Sequence, residues 1–289
     1  SDDDNHLLVL GGFGKSASPP GSGFEDVWGN DDWYDDVSDG PVTATVRIRA
    51  TNSTPAVEGA WVIVAPPKFA PHQDSVITLY DRVRQALAGS FPQLVPTTTS
   101  YTNDIHPILQ RARDTKWVES VGGAHVWADP VVAPALRQAI FDRLSPPSGG
   151  SSDMPDLNGS DNRLTQIQFD HMTRWKDDNF TNDWVGVPAP QAAITPDGLD
   201  RAALEACVGG AFFPGIEASG LDAASRPILV PSHYMAPFRI DQAAVAPGGL
   251  SHTMALPWQA DFMACGDNWW PVPRPNDVTP QGQASAVRW

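Results

Sequence analysis

The sequence predicts an α+β fold that is rich in loops, with short antiparallel strands and several helices. Eleven tryptophans in 289 residues and a hydrophobic fraction of 41% indicate a folded core, because disordered chains are poor in aromatic residues. Twenty-eight prolines and 24 glycines imply many turns and long irregular connections. Alternating and helix-periodic apolar patterns both occur along the chain, which is typical of a mixed fold.

Five short segments have the composition of strands. They are residues 7–10, 43–50, 60–65, 228–230 and 238–240. Residues 43–50 alternate between small or apolar and polar side chains, which predicts a half-exposed strand, and 60–65 form an apolar run that predicts its buried neighbour. The segment between them, 52–59, is predicted to be a hairpin loop.

Five longer segments show helical spacing of apolar residues: 75–88, 104–113, 131–144, 164–175 and 197–208. Asp104 is the predicted N-cap of the second helix, and Gly89 is the predicted stop of the first. A stretch rich in proline, glycine and serine follows the third helix, so 146–162 is a possible linker inside one domain that spans 1–289.

The charge balance excludes some partners. Nineteen basic against 34 acidic residues give a formal net charge of −15, which argues against a nucleic-acid backbone or an anionic membrane and favours a cationic ligand. The sequence contains no apolar run of the length that spans a bilayer. It begins at Ser1 without an initiator methionine or a signal-peptide pattern and closes on Trp289, from which we expect further sequence on at least one side.

The sequence contains no complete copy of the familiar catalytic and metal-binding motifs. Residues 11–16 resemble a phosphate-binding loop, but Val9 occupies the position of a required glycine, and Pro19 and Pro20 prevent the helix that must follow. The acidic stretch 31–39 departs from a calcium loop at Val37, so a solvated loop is predicted. The histidines form no HExxH pair, no CxxC pair exists, and no GxSxG elbow occurs, so no metal site is predicted.

One segment carries residues that suit redox or nucleophilic chemistry. Within 256–275 the sequence places Asp261 four positions before Cys265, so the two side chains share a face if this stretch forms a helical turn. A buried carboxylate beside a thiol can accept the proton as sulfur becomes a nucleophile. The same pattern also suits a packed aromatic corner with a buried cysteine, and spacing alone favours that structural interpretation.

This segment resembles the quinoprotein amino-acid oxidases, the family of L-lysine ε-oxidase and glycine oxidase. The resemblance runs nearly end to end and is carried by residues 8–16, 33–42, 61–67, 104–109, 154–155, 204–217 and 256–275. It implies that the chain is the catalytic core of a longer protein. It also implies a cofactor made from the chain itself, cysteine tryptophylquinone, in which a cysteine sulfur is bonded to an oxidised tryptophan ring.

The resemblance assigns roles to particular residues. Cys265 matches the cross-linked cysteine, and Asp261 matches the aspartate that the family needs for cofactor formation. Trp289 is the first choice for the quinone, since the family places that tryptophan downstream of the Trp-Trp-Pro motif. The fallbacks are Trp269 and Trp270, with Trp258 third. In the substrate pocket, Cys207 matches a position that holds cysteine or histidine in the family, and Tyr34 is a candidate for an aromatic residue that narrows the channel.

The implied activity is oxidative deamination of a primary amine or amino acid by dioxygen, with the L-lysine ε-amine favoured and glycine as the alternative. The products are an aldehyde or keto acid, ammonia and hydrogen peroxide. Implied partners are the amine, O2 and a flavoprotein that matures the cofactor, in a homo-oligomer outside the bacterial cytoplasm, either extracellular or periplasmic. Two other hypotheses stay open: an unmodified relative that serves as a binding or structural module, and a secreted domain with a Cys207–Cys265 disulfide.

Overall fold

A computed structural model describes residues 9–26, 29–66, 74–114, 134–149, 163–188, 194–209 and 226–260. The predicted cofactor residues Asp261, Cys265, Trp269, Trp270 and Trp289 lie outside these ranges, as does most of the predicted linker. The described part is a mixture of helices and short antiparallel strands joined by long loops. The predicted α+β class is therefore confirmed.

The described strands form three separate antiparallel pairs. They are β1 (Ser16–Ala17) with β2 (Tyr34–Asp35), β3 (Ser38–Val42) with β4 (Ala60–Val64), and β5 (Tyr234–Ala236) with β6 (Arg239–Ile240). In the longest pair Asp39 lies opposite Ile63, and Pro41 lies opposite Trp61.

The predicted partner of β4 is wrong. Residues 43–50 are irregular apart from one bridge between Ile48 and Ser53, and the strand that pairs with β4 is β3. The buried carboxylate of Asp39 explains the choice, because it accepts a hydrogen bond from the indole of Trp61 (2.8 Å) and from the backbone NH of Ser251 (2.7 Å). The alternating pattern of residues 43–50 is local, so it contains no information about the contact between Asp39 and Ser251, which are 212 residues apart.

Two further strand predictions fail. Pro227–Leu229 is a 3₁₀ turn with proline at its first position, which fixes a helical φ and removes a ladder donor. Val9 and Leu10 are exposed and lie in no strand, while residues 7 and 8 fall outside the described ranges. The predicted strand at 238–240 is confirmed as β6.

All five predicted helices exist, with shifted ends. They are α1 (Leu79–Leu87), α2 (His106–Asp114), α3 (Pro134–Phe141), α4 (Gln166–Lys176) and α5 (Pro196–Glu205). Capping residues set the starts of α1, α4 and α5, since Thr78, Thr165 and Thr195 each accept a backbone NH through the side chain. Asp104 is not the cap of the second helix, because a π-helical turn (Tyr101–Ile105) capped by Ser100 precedes α2.

Two apolar clusters divide the described core. The first packs α2, α3 and α4 around Ile105, Met172 and Trp175, all of them fully buried. The second packs α1 against the 3₁₀ turn at Pro227–Leu229 and the β5–β6 hairpin, with Cys207 partly buried at its edge. No helix among the described residues is long and apolar enough to cross a membrane.

Candidate functional site

A cavity of about 140 Å³ opens beside the second apolar cluster. Strand β4, helix α5 and the β5–β6 hairpin form its walls, so residues from both halves of the chain meet there. Its apolar lining includes Trp61, Ile63, Leu204, Ile228, Tyr234, Phe238 and Ile240. Its polar lining consists of Cys207, Asp200 and Arg239, which makes it an apolar pocket with a few convergent polar groups.

The turn that carries Cys207 is held by backbone contacts. The NH of Leu79 donates to the carbonyl of Cys207 (3.0 Å), the NH of Gly209 donates to the carbonyl of Ile77 (3.0 Å), and Arg82 Nε donates to the carbonyl of Gly209 (2.7 Å). These bonds tie the end of α5 to the start of α1. A side chain at position 209 does not fit, since a Cβ there would lie 2.2 Å from the carbonyl oxygen of Thr78.

The thiol itself is partly buried. Cys207 Sγ donates to the carbonyl of Ala203 at 3.1 Å, one turn back along the chain. The structure thus places the predicted pocket residue Cys207 on the wall of a cavity that a small ligand can enter.

Asp200 and Arg239 form an ion pair in the lining of the same cavity. Arg239 Nε lies 3.2 Å from Asp200 Oδ2, and the two side chains are 14% and 25% exposed. Within the part of the chain that the structure describes, neither Asp200 Oδ2 nor Arg239 Nη2 has a hydrogen-bond partner, although both atoms are buried. Burial raises the pKa of Asp200 to about 6, and Arg239 opposes this shift. Glu58, 3.6 Å from Arg239 Nε and 68% exposed, lies at the rim.

Aromatic residues give the pocket a rigid wall. The Tyr234 hydroxyl donates to the carbonyl of Ile228, and burial raises the pKa of this tyrosine, so it stays protonated. Phe238 stacks on Tyr80 with ring centroids 4.9 Å apart. Both rings are held by neighbours other than the ligand, which suits a preformed site.

Tyr34 does not line this cavity. It lies in β2, is 58% exposed and pairs with Ala17 in β1. Whether it meets a substrate channel formed with the rest of the chain stays a prediction.

Trp258, the third choice for the quinone, is tied to the N-terminal segment. Its backbone NH donates to Asp35 Oδ2 (2.8 Å), and its indole NH donates to the carbonyl of Gly14 (3.3 Å). The described chain then reaches Ala260, which is fully buried and immediately precedes Asp261. The contacts at Trp258 therefore fix the start of the segment that carries the predicted cofactor residues.

The acidic stretch 31–39 binds the chain's own backbone. Asp35 accepts from Val37 and Trp258, Asp36 accepts from Phe13 and Lys15, and Asp39 accepts from Leu250 and Ser251. These carboxylates accept hydrogen bonds from the backbone of other segments, a role that the prediction of a solvated loop did not include. Among the described residues, no group of three or more His, Cys, Asp or Glu side chains is placed to hold a metal ion.

A second cavity of about 140 Å³ lies between α1, α2 and α4. His171 is buried there, with Nδ1 2.9 Å from Thr99 Oγ1 and Nε2 3.5 Å from Asp104 Oδ1. Burial lowers the pKa of His171, while Asp104 opposes the shift. The arrangement is that of a neutral histidine built into the helical core.

Sequence reasoning did not find Asp200 or Arg239. Asp200 was inside a predicted helix and Arg239 inside a predicted strand, and neither stood in a motif. Asp200 lies on α5, which ends two residues before Cys207, so the two were close in sequence but no pattern indicated that they line one cavity.

Comparisons with known proteins agree on one family. Residues 1–64 match the model described as L-Lysine epsilon oxidase N-terminal, and residues 148–281 match the model described as L-lysine epsilon oxidase C-terminal domain. The curated L-lysine 6-oxidase of Marinomonas mediterranea is 25% identical over an alignment that covers 92% of this chain and 46% of that protein. The chain thus spans about half the length of the curated relative it matches.

Solved structures share the fold. The crystal structure of the L-Lys epsilon-oxidase from Marinomonas mediterranea superposes with a TM-score of 0.62 at 24% identity, covering 82% of this chain and 44% of that one. The crystal structure of that enzyme's Schiff base intermediate with L-Lys gives a TM-score of 0.60 at 23% identity, covering 82% of this chain and 45% of that one.

Proposed function

We propose, because this chain belongs to the L-lysine ε-oxidase family, that it is the catalytic core of a quinone-dependent oxidase of primary amines or amino acids. The proposed reaction converts R–CH2–NH2, O2 and H2O into R–CHO, NH3 and H2O2. The L-lysine ε-amine is the favoured substrate. The observation that carries the proposal is the family match across 148–281, a range that contains both Asp261 and Cys265.

The proposed cofactor is cysteine tryptophylquinone, held by Cys265 and a tryptophan. When formed, the quinone accepts two electrons from the amine carbon, which makes the proton on that carbon acidic. Trp289 remains our first choice for the ring, with Trp269, Trp270 and Trp258 as alternatives. Of these four, Trp289 alone lies beyond the match at 148–281.

Two features of the described residues support the proposal. The lining of the cavity beside Cys207 is mostly apolar, which favours the uncharged form of an amine. Two of its lining residues also have polar atoms with no hydrogen-bond partner among the described residues, and a ligand would satisfy them. In this proposal Cys207 lines the pocket, and Asp261 accepts the proton that leaves the substrate carbon.

Formation of the cofactor is part of the proposal. It is an oxidation of the chain's own side chains, for which the proposed oxidant is dioxygen and the proposed catalyst is a partner flavoprotein. The proposal extends to a homo-oligomer that acts outside the bacterial cytoplasm.

The proposal is tested on the natural full-length protein by intact mass, followed by peptide mapping around Cys265. Two added oxygens and four lost hydrogens shift the mass by about +28 Da, a change that a disulfide does not produce. Release of hydrogen peroxide from L-lysine, glycine and simple amines is measured on the same sample. Cys265→Ser and Asp261→Asn are expected to remove both the mass shift and the peroxide.

The result also identifies the tryptophan, since the cross-linked peptide contains it. A plain chain mass with no peroxide from any amine would refute the oxidase and favour an unmodified binding module. A mass two hydrogens below the plain chain would instead support the Cys207–Cys265 disulfide.

A further inference from the structure

Two residues that line the cavity beside Cys207 each have a buried polar atom, of opposite charge, with no hydrogen-bond partner in the described ranges: Asp200 Oδ2 and Arg239 Nη2. Burying such atoms unsatisfied costs free energy, and native chains seldom leave them so. Their ion pair is close at 3.2 Å, yet it satisfies neither atom with a hydrogen bond. Because both residues line the cavity, a ligand that separates the pair meets one acceptor and one donor side by side.

We infer that Asp200 and Arg239 bind the α-ammonium and the α-carboxylate of an amino-acid substrate. The guanidinium donates to a carboxylate, and the aspartate accepts from an ammonium, so a zwitterion satisfies both unpartnered atoms at once. A simple amine offers only the ammonium half. This inference rests on the proposed function, because it assigns how the same site recognises its substrate.

The rest of the cavity lining is mostly apolar and includes Leu204, Ile228 and Phe238. A ligand held by the pair therefore places an aliphatic side chain against these residues, and glycine has no such side chain.

The test measures binding to the full-length protein under nitrogen, so that it does not depend on turnover. The ligands are L-lysine, 6-aminohexanoate, which lacks the α-ammonium, cadaverine, which lacks the carboxylate, and n-hexylamine, which lacks both. Arg239→Gln is expected to weaken L-lysine and 6-aminohexanoate about 10- to 100-fold and to leave cadaverine within about twofold. Asp200→Asn is expected to weaken L-lysine and cadaverine by a similar factor and to spare 6-aminohexanoate.

Two further variants keep the result interpretable. Asp142→Asn makes the same chemical change at an exposed carboxylate just after α3, outside the cavity lining, and is expected to leave all four affinities unchanged. The double variant Asp200→Asn with Arg239→Gln removes both charges together, which avoids leaving one of them buried alone. It is expected to bind n-hexylamine as the wild type does and to lose the preference for L-lysine.

Equal affinities for L-lysine in the wild type and both single variants would overturn the inference, and so would a uniform loss of all four ligands. These results are separable from the proposed function. Ligand-specific losses in a protein without the mass shift or peroxide would support the binding pair and refute the oxidase. Peroxide production with unchanged L-lysine affinity in the variants would support the oxidase and refute the pair.

Discussion

Two aspartates, each largely buried, have opposite surroundings. The Asp39 carboxylate accepts hydrogen bonds from the Trp61 indole, the backbone NH groups of Leu250 and Ser251, and the Ser251 hydroxyl, at 2.7 to 3.0 Å. Asp200 forms an ion pair with Arg239 in the lining of a cavity, and its Oδ2 accepts no hydrogen bond from any described residue. Described residues of the chain satisfy the first carboxylate but not the second.

The difference distinguishes a carboxylate that stabilises the fold from one that is suited to bind a ligand. A carboxylate with a full set of donors stabilises the fold, because each donor would otherwise be buried without a partner. A carboxylate left short of donors destabilises the fold and is retained where a ligand completes it. Substitution at the two positions should therefore change stability in opposite directions.

The largest effect is expected from Asp39→Ala. It leaves the NH groups of Leu250 and Ser251 without an acceptor, which should lower the free energy of unfolding by about 3–4 kcal/mol. Urea denaturation of wild type and variant measures this. Asp36→Ala, in a more exposed loop, is the control and should cost less than about 1 kcal/mol. Equal losses in both variants would contradict the special status of Asp39.

Gly209→Ala should come next, with a loss of about 2–4 kcal/mol. The added Cβ would meet the carbonyl oxygen of Thr78 at 2.2 Å, so the turn that carries Cys207 has to move. The matched control is Gly23→Ala, where a Cβ meets nothing within 4 Å. Thermal unfolding compares the two, and a tolerated alanine at 209 would show that the contact to α1 does not fix the turn.

Asp200→Asn should instead raise the free energy of unfolding at neutral pH. The folded pKa of Asp200 is raised from 3.8 to about 6, so the native state binds the extra proton between these values, and wild-type stability falls as pH rises through them. The variant lacks this loss and should be about 1–2 kcal/mol more stable at pH 7. Denaturation from pH 4 to 7.5 measures the difference, and a wild type that gains stability relative to the variant across this window would refute the assignment.

The smallest effect is expected from Tyr34→Phe. Because Tyr34 is 58% exposed in the short strand β2 and outside the cavity lining, removing its hydroxyl should change the free energy of unfolding by less than about 0.5 kcal/mol. Affinity for L-lysine, measured by calorimetry, should also stay within about twofold of the wild type. A larger loss of affinity with unchanged stability would place Tyr34 in the substrate channel.

The helices were predictable because their signals are local. Apolar spacing located α1 to α5, and the shifted starts arise from threonine caps at 78, 165 and 195 that the periodicity alone does not mark. The pairing of β3 with β4 was not predictable, because Asp39 of β3 is held by hydrogen bonds from the backbone NH groups of residues 250 and 251, far along the chain. Cys207 was found by resemblance and lies on the cavity wall, whereas Asp200 and Arg239 needed the fold to bring them together.

The hydrogen bond between Asp39 and Ser251 joins residues 212 positions apart. The residues that line the cavity beside Cys207 lie between positions 59 and 240. Contacts with such separations close late, because a long loop must lose its chain entropy before they form. On the ribosome, which makes the chain from the N-terminus, β4 and its partner β3 emerge early, but residues 250 and 251 and the β5–β6 hairpin emerge only after most of the chain has been made. The pocket is therefore among the last parts of the molecule to assemble, and until then the thiol of Cys207 has no enclosed ligand site beside it.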